Sequence, residues 1–237
     1  MTKKLLMLVA NPATSPVTGW PIGFWWAELS HAWLEFNHAG YDITIASPDG
    51  GDLDADGFSD PEHESGYSAH DIVSQGFKTS AVTRDLIKDT PALADLDLGS
   101  FDAIFVVGGQ SPMVSMIDDD RVHRAVAAFY EAGKITSAVC HGTCILLKTR
   151  LSDGSLLVNG KTWTGFADSE EQYAEHAVGQ KIQPFWIETE ARKIEGTNFI
   201  TGGTMAEFAV RDGNLITGQQ QVSAAAAARK VIEALGA

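Results

Sequence analysis

Cysteine is nearly missing from this chain: only Cys140 and Cys144 occur in 237 residues. They stand four apart on one expected helical turn, which suits no disulfide, and two thiols are too few for a structural zinc site. That usage fits a reducing compartment, so a cytoplasmic protein is the expectation. Long apolar runs are missing too, with none near the roughly 18 to 20 residues of a membrane span. Basic residues are scarce: 17 Lys and Arg face 31 Asp and Glu, a net charge of -14. They form no cluster, so neither nucleic acid nor an anionic membrane is an expected partner. No G-x-G-x-x-G fingerprint follows the apolar run that ends at Val107, and no repeat, low-complexity segment or linker is evident. What is present is a chain 44% hydrophobic, long enough for a full core in one domain over 1–237.

Residues 5–10 form a short continuous apolar run, as in a strand buried on both faces of a parallel sheet. Asn11-Pro12 breaks the run, so the charged start reads as the approach to a first strand, with no signal peptide. Over 22–38 the residues Phe24, Trp25, Leu29, Trp33, Leu34 and Phe36 recur near helical spacing, Gly40 stops the helix, and 41–46 form a second strand. Residues 47–80, rich in Asp, Gly, Ser and His, read as a loop or lid insertion. Within it Glu62, His63, Glu64, His70 and Asp71 are metal-binding types, but their spacing fits no site and no metal is expected. Residues 81–97 look like an exposed helix interrupted at Thr90-Pro91. A buried strand over 101–107, a helix over 118–132 capped by Gly133 and a strand over 135–139 follow. Later come a strand over 161–166, a helix opening at 167–171, an amphipathic helix over 184–194, a hairpin about Asp212-Gly213 and a closing helix over 222–235. The alternation predicts an α/β fold, with a mostly parallel sheet and helices on both faces.

Three places carry candidate chemistry. The first is Thr136 to Leu147, where one apolar run ends at Cys140-His141-Gly142 and another begins at once, the pattern of strand, sharp turn and helix. A cysteine at that bend stands clear of the sheet beside free helix-opening amides, which should favour its thiolate. The adjacent His141 is a candidate proton acceptor. A buried cysteine packing as a small hydrophobe fits the tripeptide equally well. The second is Glu28, a carboxylate among aromatic residues, which either has a partner and a raised pKa or sits at the edge of the apolar stripe in water. The third is Gly108-Gly109-Gln110-Ser111, at the strand end where open α/β sheets form sites. Glu170 and Glu171 have a structural reason in any case, since acids belong in the first turn of a helix.

Taken together, these pieces resemble the ThiJ/PfpI superfamily, of class I glutamine amidotransferase-like fold, and within it the glyoxalase III and heat-shock chaperone branch. Ala138-Val139-Cys140-His141-Gly142 and Thr164-Gly165-Phe166-Ala167-Asp168-Ser169-Glu170-Glu171 carry the resemblance. Thr18-Gly19, Glu28, Ser47-Pro48-Asp49-Gly50-Gly51 and Asp212 to Gln219 support it. The resemblance implies a flavodoxin-like sheet with a nucleophile elbow at Cys140. It implies Cys140 as nucleophile, His141 as its partner, Glu171 as the acid of a Cys-His-Glu triad, with Glu170 the less favoured rival, and Glu28 as the carboxylate against the thiol. Gly109, Gln110 and Gly142 would serve the oxyanion and substrate. The implied activity is conversion of methylglyoxal or a related small 2-oxoaldehyde to a 2-hydroxy acid, D-lactate in the first case, without glutathione or any cofactor, in a homodimer. A stress-response holdase or redox-sensing thiol is the alternative, and an amidase or peptidase a third. Close relatives carry Gly-Gly-His-Gly where this chain has Gly108 to Ser111, Pro where it has Thr143, and Gln-Asn-Pro where it has Gln219-Gln220-Gln221, so a shifted substrate is expected.

Overall fold

Apolar runs too short for buried helices become the centre of the molecule. In the computed structural model, which describes residues 2–236, β1 (Lys4–Leu8) leads through a small ribbon, β2 (Ala13–Thr14) with β3 (Pro21–Ile22), into α1 (Trp26–His38). Then come β4 (Asp42–Ala46), α2 (Ile72–Thr79), β5 (Ala103–Val106), α3 (Pro112–Ser115), α4 (Asp120–Glu131) and β6 (Ile135–Val139). The last part holds β7 (Thr162–Trp163), α5 (Asp168–Val178), α6 (Ile187–Ala191), β8 (Asn198–Phe199), β9 (Ala209–Asp212), β10 (Leu215–Gly218) and α7 (Ala224–Leu235).

Six strands form one sheet in the order β4-β1-β5-β6-β10-β9, parallel throughout except for β9. Leu5 pairs with Ile43 on one side and Ala103 on the other. Every residue of β5 and β6 is buried, and β5 accordingly reads as a continuous apolar run, while β6 also buries Thr136 and Ser137. Helices surround the sheet, with α1 packed on α7 and α4 lying over β5 and β6. Because β1, β5, β6 and β10 run the same way, the loops after them open at one edge, the place where such sheets bind ligands.

Several expected elements differ. The helix expected over 22–38 starts at Trp26, because Ile22 pairs with Ala13 and Phe24 bridges to Ala55. The segment 47–80 contains α2, whose first turn is capped by Asp71 accepting from the amides of Val73 and Ser74. The helix expected over 81–97 is absent: two 3-10 turns, Arg84–Ile87 and Leu93–Asp95, flank a stretch that pairs with 47–51. There Thr90 and Gly51 exchange backbone hydrogen bonds and the Leu93 amide donates to Ser47, so non-local pairing overrides helical propensity. The helix expected after Cys140 is a run of 3-10 turns, Cys140–Leu147, tightened by the Thr143 hydroxyl donating to the Cys140 carbonyl at 2.7 Å. The strand expected over 161–166 shortens to β7, and the helix over 184–194 to α6.

Candidate active site

Cys140 occupies the bend between β6 and the 3-10 run with φ of 54, a left-handed conformation unusual for a side chain with a Cβ. Gly142 makes the bend possible, since a Cβ there would lie 2.9 Å from the Val107 carbonyl oxygen. The Cys140 sulfur lies 3.5 Å from Nδ1 of His141, whose Nε2 lies 3.0 Å from Oε1 of Glu171. Glu171 as a carboxylate only accepts, so the Nε2 hydrogen belongs to that bond and Nδ1 presents its lone pair to sulfur. Phe166 stacks on the imidazole, ring centroids 4.2 Å apart, fixing its plane. Of the two adjacent acids at the head of α5, Glu171 is the one that reaches His141. Glu170 turns the other way, accepting from the Met205 amide, the Gln219 side chain and the Ala167 amide.

Glu28, at the first turn of α1, is fully buried, which removes the reading that put it in water. Its Oε2 accepts from the Gly108 amide at 2.8 Å. Oε1 meets no donor in regular geometry, and the polar group beside it is the Cys140 thiol. Burial pushes the Glu28 carboxyl up to about 8. The expectation of a readily formed thiolate is corrected here: burial first, and then the negative Glu28, push the Cys140 thiol well up, against a weaker pull from the His141 amide. Glu171 is also raised by burial, with His141 opposing. Cys144 lies apart, buried against the Pro112 carbonyl, its thiol pushed up by burial.

Sequence reasoning missed Asp56. This carboxylate is fully buried, accepting from the Gly23 amide at 3.0 Å and from the Gln110 amide at 2.7 Å, and burial raises it to about 7. It ties the loop before α1 to the loop after β5. No local pattern marks it, since it sits in an Asp- and Gly-rich stretch that reads as surface loop. Gly109, with φ of 103, lies so close to the chain at Gly23 and Phe24 that a Cβ would come within 2.5 Å of the Gly23 carbonyl oxygen. Gly109 and Gly142 therefore lie behind the site, whereas Gln110 reaches it. The five metal-binding types of 62–71 do not converge: Glu62 pairs with Lys78, His63 with Ser65, and Asp71 with His31. Among the described residues, no group of three or more His, Cys, Asp or Glu is placed to hold a metal ion.

Above Cys140 opens a cavity of about 280 Å3. Its floor is Cys140, His141, Glu171 and Gln110, and its walls are mostly aromatic and aliphatic. Of the three glutamines after β10 only Gln221 lines the cavity, while Gln219 and Gln220 are buried and brace the neighbouring loop. Gln219 accepts from the Gly202 amide, Gln220 donates to the Ala206 carbonyl, and Gln221 reaches the Tyr67 hydroxyl at 3.5 Å.

This chain is similar to known proteins across nearly its whole length. It is 28% identical over 244 residues to Glyoxalase 3 of Candida albicans, covering 99% of this chain and 98% of that protein. With the glutathione-independent glyoxalase HSP31 of Saccharomyces cerevisiae it shares 24% identity over 239 residues, covering 98% of each. The crystal structure of glyoxalase III from Candida albicans superposes with a TM-score of 0.79 at 26% identity, covering 98% of this chain and 97% of that one. The family model described as DJ-1/PfpI matches residues 23–234, a span that takes in both the elbow and the buried carboxylate on α1, and the chain belongs to the DJ-1/PfpI family.

Proposed function

We propose that this protein is a glutathione-independent glyoxalase, a hydro-lyase that turns a 2-oxoaldehyde into a 2-hydroxy acid through a covalent bond to Cys140. The observation that carries it is the chain of contacts from the Cys140 sulfur through His141 to Glu171, with the buried Glu28 carboxyl beside the same sulfur. The names of the relatives supply the activity; the residues supply a route.

His141, held by Glu171, takes the thiol proton as sulfur attacks the aldehyde carbon, so the buried thiol need not ionise beforehand. The His141 amide, which faces the Cys140 sulfur, takes the developing oxyanion. The hemithioacetal then loses its carbon-bound hydrogen as a proton, that proton is returned to the neighbouring carbon, and the hydroxyl proton on the former aldehyde oxygen passes to the former keto oxygen. A carboxyl raised to about 8 is matched to both halves of the transfer near neutrality, and Glu28 is so placed. The resulting thioester is cleaved by water, releasing the 2-hydroxy acid and restoring the thiol. A redox-sensing role would need an exposed and ionised thiol, whereas Cys140 is 3% exposed and pushed towards the protonated form.

The test is D-lactate formation from methylglyoxal without glutathione. The parent protein forms it, and Cys140→Ser does not. An inactive parent, or full activity in Cys140→Ser, overturns the reading.

A further inference from the structure

The cavity over Cys140 exceeds what a three-carbon oxoaldehyde needs, and its chemistry is uneven. At about 280 Å3 it lies near the lower end of the roughly 300 to 1,000 Å3 that hold drug-sized ligands. Methylglyoxal would leave most of it empty. The thiol, the imidazole and the carboxyl gather at the floor. Besides the triad there is Gln110, 8% exposed, lining the cavity with an Oε1 that has no partner in the protein. A buried acceptor in that state is satisfied by a ligand hydroxyl that donates to it, such as that of the hemithioacetal formed on Cys140.

Away from the floor the walls are mostly apolar, with Ser65, Gln183 and Gln221 as the polar residues among them. Trp20, Trp25, Phe58 and Tyr67 form an aromatic side, with Trp25 edge-on to Tyr67 at 6.1 Å and Trp20 tilted on Phe58 at 5.8 Å. Opposite them α5 presents Ala174, Ala177 and Val178, an apolar stripe at helical spacing that faces the cavity and is only partly covered by protein. No Lys or Arg lines the cavity. An anionic substrate would find no counter-ion there, and a polyhydroxylated one would set most of its hydroxyls against apolar wall, where polar residues such as Ser65, Gln183 and Gln221 are sparse.

We propose that the substrates of this site are 2-oxoaldehydes carrying an aryl or medium-chain alkyl group on the keto carbon. The dicarbonyl end rests at Cys140, where the hydroxyl of the hemithioacetal donates to Gln110 Oε1, and the apolar group fills the space between the aromatic wall and α5. This rests on the glyoxalase reading and uses its chemistry unchanged. Sulfur bonds to the aldehyde carbon, the thiol proton passes by way of His141 to the aldehyde oxygen, the hydrogen on that carbon moves as a proton to the keto carbon, and the hydroxyl proton on the former aldehyde oxygen passes to the keto oxygen, leaving a thioester. Water then breaks the carbon–sulfur bond. The aldehyde carbon is oxidised and the keto carbon reduced within one molecule, so no outside oxidant or reductant enters; phenylglyoxal yields mandelate.

The experiment compares methylglyoxal, phenylglyoxal and 2-oxooctanal without glutathione, with the 2-hydroxy acids quantified by chromatography. The two larger substrates should exceed methylglyoxal in kcat/KM by about tenfold or more, mainly through KM. Ala174→Phe, which fills the space beside α5, should lower that ratio by about tenfold. Ala177→Phe, at an exposed position on the same stripe, is the second variant should the first not fold. Methylglyoxal turned over as well as or better than the larger aldehydes, or a ratio that both folded variants leave unchanged, overturns the substrate class and leaves the glyoxalase reading standing. Turnover of none of the three overturns both.

Discussion

At Glu28 and Cys140 two groups that are easily ionised in water face each other in a place that favours neither anion. The carboxyl loses the contest less, because the Cys140 thiol and then the Gly108 amide support its charge. A thiol kept protonated is shielded from idle oxidation, and on the route proposed above His141 takes its proton at the moment of attack. If Glu28 is the base that moves the carbon-bound proton, its carboxylate must be present, so kcat/KM should rise with pH and level off above about 8. A profile flat from roughly pH 6 to 9 removes Glu28 from that role. Glu28→Gln keeps the shape and the bond to Gly108 but cannot carry the proton; it should lower kcat/KM by about a hundredfold or more, read in the same D-lactate assay.

Among the elements, two loops on different strands are held in register by one side chain, Asp56. Asp56→Asn leaves only one carbonyl oxygen for the two amides of Gly23 and Gln110, so a buried donor goes unpaired. The expected loss is about 1 to 3 kcal/mol in denaturant unfolding, with a rise in KM as Gln110 shifts. An unchanged midpoint and unchanged KM would count against this linkage. Asp56 also shows where reading the sequence stopped. Elements fixed by their own residues were legible: β6 by its apolar run, the β9–β10 hairpin by Asp212-Gly213, and α4 by its acidic start and Gly133. Elements fixed by distant partners were not. The stretch about Thr90 has helical composition yet pairs with Gly51, and α2 hides in a segment whose Asp and Ser read as loop. The site divides the same way. Cys140 and His141 stand side by side in the chain, while Glu28 and Glu171 were assigned through the resemblance. Asp56 became visible only when Gly23 and Gln110 met around it.

For the molecule as a whole, the buried carboxyls set an unusual pH dependence of stability. Glu28 moves from an ordinary 4.5 to about 8, and Asp56 from 3.8 to about 7. In the unfolded chain both ionise near their ordinary values, while in the folded protein they stay protonated longer, so the folded state binds more protons over that interval. Stability is then fully present below about pH 4 for these two groups and falls as pH rises, until each is ionised in both states. Each shift corresponds to on the order of 4 kcal/mol, and the net charge of -14 adds self-repulsion in the same direction. Surface carboxylates oppose this only in acid. Asp119, held low by its hydrogen bond to Arg121, and Asp212, held low by the Thr162 amide, lose their contribution as pH falls through the ordinary carboxylate range. Maximum stability is therefore expected near pH 5 rather than at neutrality, with a decline to about pH 8. Denaturant unfolding of the parent and of Glu28→Gln across that range checks it. The variant cannot ionise at position 28, so it should match the parent near pH 4 and exceed it at pH 8 by on the order of 4 kcal/mol. Parallel pH curves for the two proteins would mean that Glu28 is already ionised in the folded state at neutrality, and would remove the raised carboxyl from both the stability argument and the proton transfer.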